Sequence, residues 1–487
     1  MHISSLPSPN GIGTLGREAR EFIDFLADAG ERCWQILPVC PTGYGDSPYQ
    51  SFSSFAGNPY FIDFRELESA GHLNKKEYQG LDWGCDPLKV DYGALSRNRI
   101  DVLCIAVKRM LRQDNDEFAE YCTRNAYWLD EYALFMSLKR THRGLAWMEW
   151  EEPYRDRGSA AVREYEAEHA SEIRIWKGVQ FLFDRQWHAL KDYATGKGIS
   201  IIGDVPIYVA LDSVDVWAHP ELFQLGDDLM PEEVSGCPPD GFSDKGQLWG
   251  NPLFDWDRMR ADGYSWWAQR IAFLTDIYHI LRIDHFRGFE SYYAIPYGAD
   301  DARCGVWRKG PGIEFFRTME ARIGKKQIIA EDLGFLTPAV HELLEETGYP
   351  GMKVIEMAFD HRDPAGMEYL PHRFPENCVA YLGNHDNDTI LGWLESAPED
   401  DVTEAIEYLG LDQAEEKNWK AMEVLWESKA GLTIVQAQDL LGLGSEARMN
   451  TPSVPSGNWT WRAPAGAFDR TLAERLRTEM TRTGRCN

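Results

Sequence analysis

Two periods run through the pattern of apolar and polar positions along this chain. Short apolar runs bounded by Gly, Pro and polar residues read as buried strands, and stretches whose apolar side chains recur every three or four residues read as helices. Strand character occurs at residues 2–6 (HISSL), 32–38 (RCWQILP), 201–209 (IIGDVPIYV), 279–286 (HILRIDHF), 326–334 (KQIIAEDLG), 351–359 (GMKVIEMAF), 377–386 (NCVAYLGNHD) and 437–444 (AQDLLGLG). Helical patterns lie between them, beginning with REAREFIDFLADAG, where Phe22, Ile23, Leu26 and Ala27 share one face and Gly30 ends the helix. Eight strands separated by helices predict an α/β fold, a (β/α)8 TIM barrel, with residues 1–487 forming one domain.

Four stretches depart from the simple alternation. Residues 40–64 are dense in Gly, Pro, Ser and Tyr and too polar for a core, so they read as a long loop of the kind that often carries function. Tyr44, Ser47, Tyr49 and Gln50 there offer hydroxyl, amide and aromatic groups to a polyol, or equally form a compact surface loop. Residues 95–193 are helical by pattern and predict an inserted helical subdomain, with Trp128, Phe135 and Trp176 serving helix packing. Residues 236–257 form a second irregular loop in which Asp240, Phe242, Gln247, Trp249 and Asn251 are ligand-like in type. Residues 390–432 read as a helical segment before the last strand.

Chemistry concentrates at strand ends. Asp284 closes the run ILRID, and Arg282, two residues earlier, points to the same face of the strand. There its guanidinium is expected to hold Asp284 ionised and low in pKa, as a nucleophile. An ordinary strand-end ion pair has the same appearance. Glu331 ends QIIAED and Asp386 ends VAYLGNHD, so acids stand at three strand ends, which on a barrel open onto one face. Glycoside chemistry uses such a set: one carboxylate attacks the anomeric carbon, one protonates the leaving oxygen, and further negative charge steadies an oxocarbenium-like state. His385 and Asn384 are candidate donors to sugar hydroxyls, although a histidine at that place also suits a core. Asp204 reads as a supporting acceptor, and Asp332, Asp388 and Glu356 as structural.

Competing chemistries lack their signatures. GIGTLG at residues 11–16 fits G-x-G-x-x-G, but no ribose-binding acid ends the next strand. Neither H-E-x-x-H nor an EF-hand loop occurs, so no metal is expected, and no G-x-S-x-G points to a serine nucleophile. The nine cysteines are odd in number and include no C-x-x-C pair, which predicts reduced thiols. A formal charge of −28 disfavours nucleic acid and suits a neutral substrate. No apolar run approaches the ~18 residues of a membrane span, and no secretory leader opens the chain, so the cytoplasm is the expected compartment. The 18 Trp, 21 Tyr and 22 Phe supply flat faces of the sort that stack on sugars, beyond those needed for the core.

Several long blocks resemble, in order, those of the amylomaltases, the 4-α-glucanotransferases or disproportionating enzymes related to the α-amylases. They are SSLPSPNGIGTLG, WQILPVCPTGYGDSPYQSFSSFAGNPY, GDVPIYVALDSVDVWAHPELF, CPPDGFSDKGQLWGNP, LRIDHFRGF, IIAEDLG, GNHDNDT and LLGLGSEARMNTP. The resemblance implies Asp284 as nucleophile, Glu331 as general acid/base and Asp386 as transition-state stabiliser, with Arg282 and His385 positioning substrate. It makes 236–257 a mobile loop over the donor sugars, carrying Asp240, Phe242 and Trp249, and it implies no cofactor. Donors are expected to be α-1,4-glucans and maltooligosaccharides, and acceptors glucose or maltooligosaccharides. Two departures stand out. Gly241 occupies a position where relatives often have an aromatic, and the chain starts almost inside the first strand, which predicts either a short first strand or translation from an upstream codon. A maltodextrin hydrolase using the same acids, and a silent glucan-binding protein, are the alternative readings.

Overall fold

The computed structural model describes residues 1–113, 115–239, 243–362 and 365–486. Its strands are β1 (Cys33–Gln35), β2 (Ser200–Pro206), β3 (Glu233–Cys237), β4 (Gln247–Pro252), β5 (Ile280–Asp284), β6 (Ser291–Pro296), β7 (Val306–Lys309), β8 (Ile328–Ala330), β9 (Gly351–Val354), β10 (Cys378–Tyr381) and β11 (Leu432–Ile434). The fold is a (β/α)8 barrel, with parallel strands in two arcs, β1-β2-β5-β8 and β9-β10-β11. A hydrogen bond of 2.9 Å from Ala330 N to Pro350 O links β8 to the segment entering β9.

Side chains alternate across the barrel wall with a period of two. Ile202, Ile329, Met352, Val354, Val379 and Tyr381 pack together with Ile280, Leu432 and Ile434 as an inner core. Leu281 and Ile283, the intervening residues of β5, join the outer core beneath the helices. Register pairs Ile202 with Ile280 and Asp204 with Arg282, so in this arc an apolar pair of the inner core sits below a polar pair nearer the carboxyl ends. Tyr381 donates across this layer to Gln35 Oε1 at 2.8 Å. Each inner Ile or Leu contributes about 1.5–3 kcal/mol by burial, which holds the polar layer in place from below.

Two expected strands are absent from their places. Residues 2–6 are not a strand: Ile3–Ser5 form a 3-10 turn. Side chains tie this stretch to β1, because Trp34 Nε1 donates to Met1 O at 2.7 Å and Leu37 N to His2 Nδ1 at 3.2 Å. The last strand is Leu432–Ile434 and not 437–444, where Ala437–Leu440 is one helical turn. β-Branched Thr433 and Ile434 suit a ladder, whereas Ala437, Gln438 and Leu440 favour helix once a short apolar run is no longer read alone.

A four-stranded antiparallel sheet, β4-β3-β6-β7, is attached to the barrel and was not legible as strands. It gives much of 236–257 a regular backbone, since Gln247–Pro252 pair with β3. The helical insertion extends past its expected bounds, from Tyr92–Met110 to the long helix Ala170–Gly196. Before β11, helices Ile390–Ser396, Glu399–Leu409 and Lys417–Glu427 fill most of 390–432. Among the described residues no helix is long and apolar enough to cross a membrane.

Candidate active site

Asp284 is the last residue of β5, and Glu331 directly follows β8, its neighbour in the sheet. Backbone bonds from Glu331 N to Ile283 O (2.9 Å) and from Phe286 N to Glu331 O (3.0 Å) fix how the two acid-bearing segments lie against each other. Between these bonds the chain makes a left-handed step at His285, φ 52°. Such a step costs a non-glycine residue ~1–2 kcal/mol. It turns the His285 N–H onto Glu331 Oε2 at 2.6 Å, while Leu333 N donates to Oε1 at 2.8 Å. Two fixed donors set the plane of the carboxyl and leave its remaining lone pairs for a proton or a substrate oxygen.

Arg282 is fully buried and divided between two acids, with Nη1 to Asp204 Oδ2 at 2.6 Å and Nη2 to Asp284 Oδ1 at 3.0 Å. A buried guanidinium costs several kcal/mol unless carboxylates surround it. Burial works against its charge, but Asp204, then Asp284, Tyr49 and Glu331 outweigh burial and hold it well above its ordinary pKa. The tighter partner is Asp204, and this corrects the expectation that Arg282 keeps Asp284 low. Burial raises Asp284 well above the carboxylate range; Arg282 opposes this, and Asp204, Glu331 and Asp386 add to it. Glu331 is also raised by burial, against Arg282 and the two backbone donors. One cation cannot offset both this burial and the surrounding negative charge, so the protonated forms of Asp284 and Glu331 are both favoured over those of free carboxylates.

Asp386 lies in the loop beyond β10. Asn384 shapes that loop, its side-chain oxygen accepting from Asp386 N at 2.8 Å. Asn450 Nδ2 donates to Asp386 Oδ1 at 2.6 Å, and Arg448 Nη2 to the Asp386 carbonyl at 2.7 Å. His385 stacks on Tyr49, centroids 5.2 Å apart at 12°, and Trp459 lies 5.9 Å from His385 and 5.8 Å from Tyr49. Burial lowers the His385 pKa, so the ring is neutral at physiological pH. Tyr49 Oη donates to Asp204 Oδ2 at 2.7 Å, which connects the first loop to the carboxyl cluster.

The other expected contacts separate into two groups. Trp249 meets His285 edge to face at 4.8 Å, next to Glu331, and its Nε1 donates to Gln247 Oε1 at 3.1 Å. Asn251 is buried, donating to Val209 O at 2.8 Å and accepting from Gln50 Nε2 at 3.3 Å and Ser235 Oγ at 3.4 Å, so its amide binds the two loops to each other. Ser47 Oγ accepts from Tyr49 N at 3.2 Å and shapes its own loop. Asp240 and Phe242 lie outside the described residues. Asn450, Arg448 and Trp459 were not singled out from the sequence: each is an ordinary polar or aromatic residue far along the chain from its partner. The resembling block LLGLGSEARMNTP, which contains Arg448 and Asn450, was the available signal for two of them.

The chain has relatives that align with it from end to end. A family model described as 4-alpha-glucanotransferase matches residues 1–467. The 4-alpha-glucanotransferase of Clostridium butyricum is 45% identical over 490 residues, covering all of both chains. That of Thermus thermophilus is 45% identical over 498 residues, covering 100% of this chain and 98% of its own. The solved structure of Streptococcus agalactiae amylomaltase in complex with acarbose superposes with a TM-score of 0.96 at 39% identity, covering 100% of this chain and 99% of that one. With residues 1–467 matched by the family model and relatives aligned end to end, this chain belongs to the 4-alpha-glucanotransferase family.

Proposed function

We propose that this chain transfers segments of α-1,4-glucans by double displacement, with Asp284, Glu331 and Asp386 in the three catalytic roles. The observation that carries the reading is the convergence of these acids: Asp284 feels the charges of both Glu331 and Asp386 while sharing Arg282 with Asp204. Asp284, ionised, attacks the anomeric carbon; the glycosidic C–O bond breaks and Glu331 gives its proton to the leaving oxygen. The non-reducing fragment remains as an ester on Asp284. Glu331, now ionised, takes the proton from the 4-hydroxyl of an acceptor, whose oxygen attacks the anomeric carbon and releases Asp284. Asp386, oriented by Asn450 and Asn384, supplies negative charge to the oxocarbenium-like states of both steps.

Transfer requires that a sugar hydroxyl outcompete water. Tyr49 and His385, backed by the buried Trp459, and Trp249 with His285 present ring faces beside the acids, where sugar rings can stack and displace solvent. His385 positions the reacting sugar and Arg282 acts on it through Asp284, while Ser47, Gln247 and Asn251 hold the two segments beside the acids in shape. The acceptors are glucose and maltooligosaccharides, and the compartment is the cytoplasm, as the scattered, odd set of nine cysteines suits reduced thiols. Incubation with maltotriose tests the reaction. A ladder of glucose and longer oligomers with a constant number of reducing ends is expected; one new reducing end per cleaved bond would make the enzyme a hydrolase.

A further inference from the structure

Four residues beyond Glu331 and three beyond Asp284, the chain builds a structure that the acids themselves do not use. Arg287 is buried, 3% exposed, yet among the described residues its guanidinium forms no salt bridge. It lies 3.8 Å over the ring of Trp307 on β7, donates through Nη1 to the carbonyl of Phe335, and through Nη2 to Ser291 Oγ at 2.8 Å. One side chain therefore fixes both the plane of Trp307 and the backbone at Phe335. Trp307 is further braced by Tyr293, 5.0 Å away at 62°. Despite this bracing, Trp307 and Phe335 are 41% and 45% exposed.

An exposed tryptophan held rigid by a buried cation is costly as decoration, because the guanidinium loses water and the indole gains none of the benefit of full burial. The arrangement suits a ligand that stacks, since a ring already immobilised loses no rotamer freedom on binding. Its position selects the ligand. Glu331 protonates the leaving oxygen and later deprotonates the incoming hydroxyl, so the acceptor enters on the Glu331 side of the scissile bond. Phe335 follows Glu331 on the same segment, and Arg287 follows Asp284 on the segment whose His285 N–H holds Glu331.

We propose that Trp307, riveted by Arg287, and Phe335, whose backbone Arg287 holds, form a stacking platform for the sugars of an acceptor glucan beyond the one that reacts. Glucose would fill only the reacting position, whereas maltotriose would extend two sugars beyond it. The platform would make longer acceptors better ones without touching the chemical step. This rests on the transferase reading and on the role of Glu331.

The test uses full-length enzyme, a fixed unlabelled long glucan as donor, and either labelled glucose or maltotriose labelled at its reducing end. Label that moves into longer chains reports acceptance, and label released as glucose or maltose reports use as donor. In Trp307→Ala and Phe335→Ala, the acceptor KM for maltotriose should rise about fivefold or more, the weight of one aromatic contact. Constants for glucose should stay within about twofold, and Trp307→Phe should recover most of the loss. Phe335→Ala removes only an exposed side chain, because Arg287 binds its carbonyl, so it stays informative if Trp307→Ala folds poorly. Equal changes toward both acceptors in Phe335→Ala, or none toward either, would overturn the platform while leaving the transferase intact. Wild-type enzyme that lengthens neither acceptor would overturn the reading beneath it, and the platform too.

Discussion

Arg282 shows why the identity of a residue and its partners are separate questions. That Arg282 and Asp284 share a face followed from their spacing, and the structure puts them 3.0 Å apart. That Arg282 is claimed first by Asp204 could not follow, because Asp204 sits on β2, and strand pairing across 78 positions leaves no local trace. The consequence is that Asp284, the proposed nucleophile, has its pKa raised by burial and by surrounding carboxyl groups and only partly restrained by its arginine. The rate should be bell-shaped in pH, with the acid limb set by ionisation of Asp284 and the alkaline limb by loss of the Glu331 proton, both carboxyls being raised by burial. Asp204→Asn removes a negative charge that raises Asp284 and leaves an oxygen to accept from Tyr49 and Arg282. The acid limb of kcat/KM should therefore move to lower pH. An unmoved limb, or one moved upward, would show that Asp204 does not set the nucleophile's charge. The roles proposed for Tyr49, His385 and Trp249 drew on the resemblance and on residue type; Asn450 and Trp459 needed the fold.

At the scale of elements, strands whose apolar side chains alternate with the inner polar layer were legible, and β5 and β10 were found near their true places. The misplaced ones share a cause. Residues 2–6 and 437–444 are short apolar runs for which period alone does not separate strand from turn. The turn Ala437–Leu440 has its own purpose: Asp439 Oδ1 accepts from Ile390 N at 2.7 Å, satisfying the first N–H of the helix that follows the Asp386 loop. Asp439 is fully buried, its Oδ2 has no partner among the described residues, and burial with the nearby Asp388 raises its pKa to about 7. A carboxyl raised on folding binds more protons in the native state than in the unfolded chain. Its penalty is absent below about pH 4, grows as pH rises, and is complete above about pH 7. Asp439→Asn keeps the acceptor for Ile390 and removes the charge. Relative to wild type it should gain stability across that window, by ~2–4 kcal/mol at pH 8, with little difference at pH 4. Denaturant unfolding at the two pH values measures this. A variant less stable at pH 8, or a gap independent of pH, would mean that Asp439 folds as the anion.

The whole molecule turns a barrel into a cleft by closing it from three directions. The first loop, residues 40–64, brings Tyr49 onto Asp204 and His385. The antiparallel sheet brings Trp249 onto His285. The segment after β11 returns Arg448, Asn450 and Trp459 to the Asp386 loop. Backbone bonds between barrel segments fix Glu331 against the Asp284 segment, Asn450 and Arg448 hold Asp386, and the loops place aromatic rings beside the acids. In the proposed mechanism a glucan fragment rests covalently on Asp284 between donor and acceptor. Its most direct test is to trap that ester with a fluorinated glycosyl fluoride in Glu331→Gln, which slows release, then digest the protein and locate the added mass. The adduct should fall on the peptide containing Asp284 and vanish in Asp284→Asn. A stable adduct on another carboxylate, or turnover by Asp284→Asn at the wild-type rate, would contradict the account.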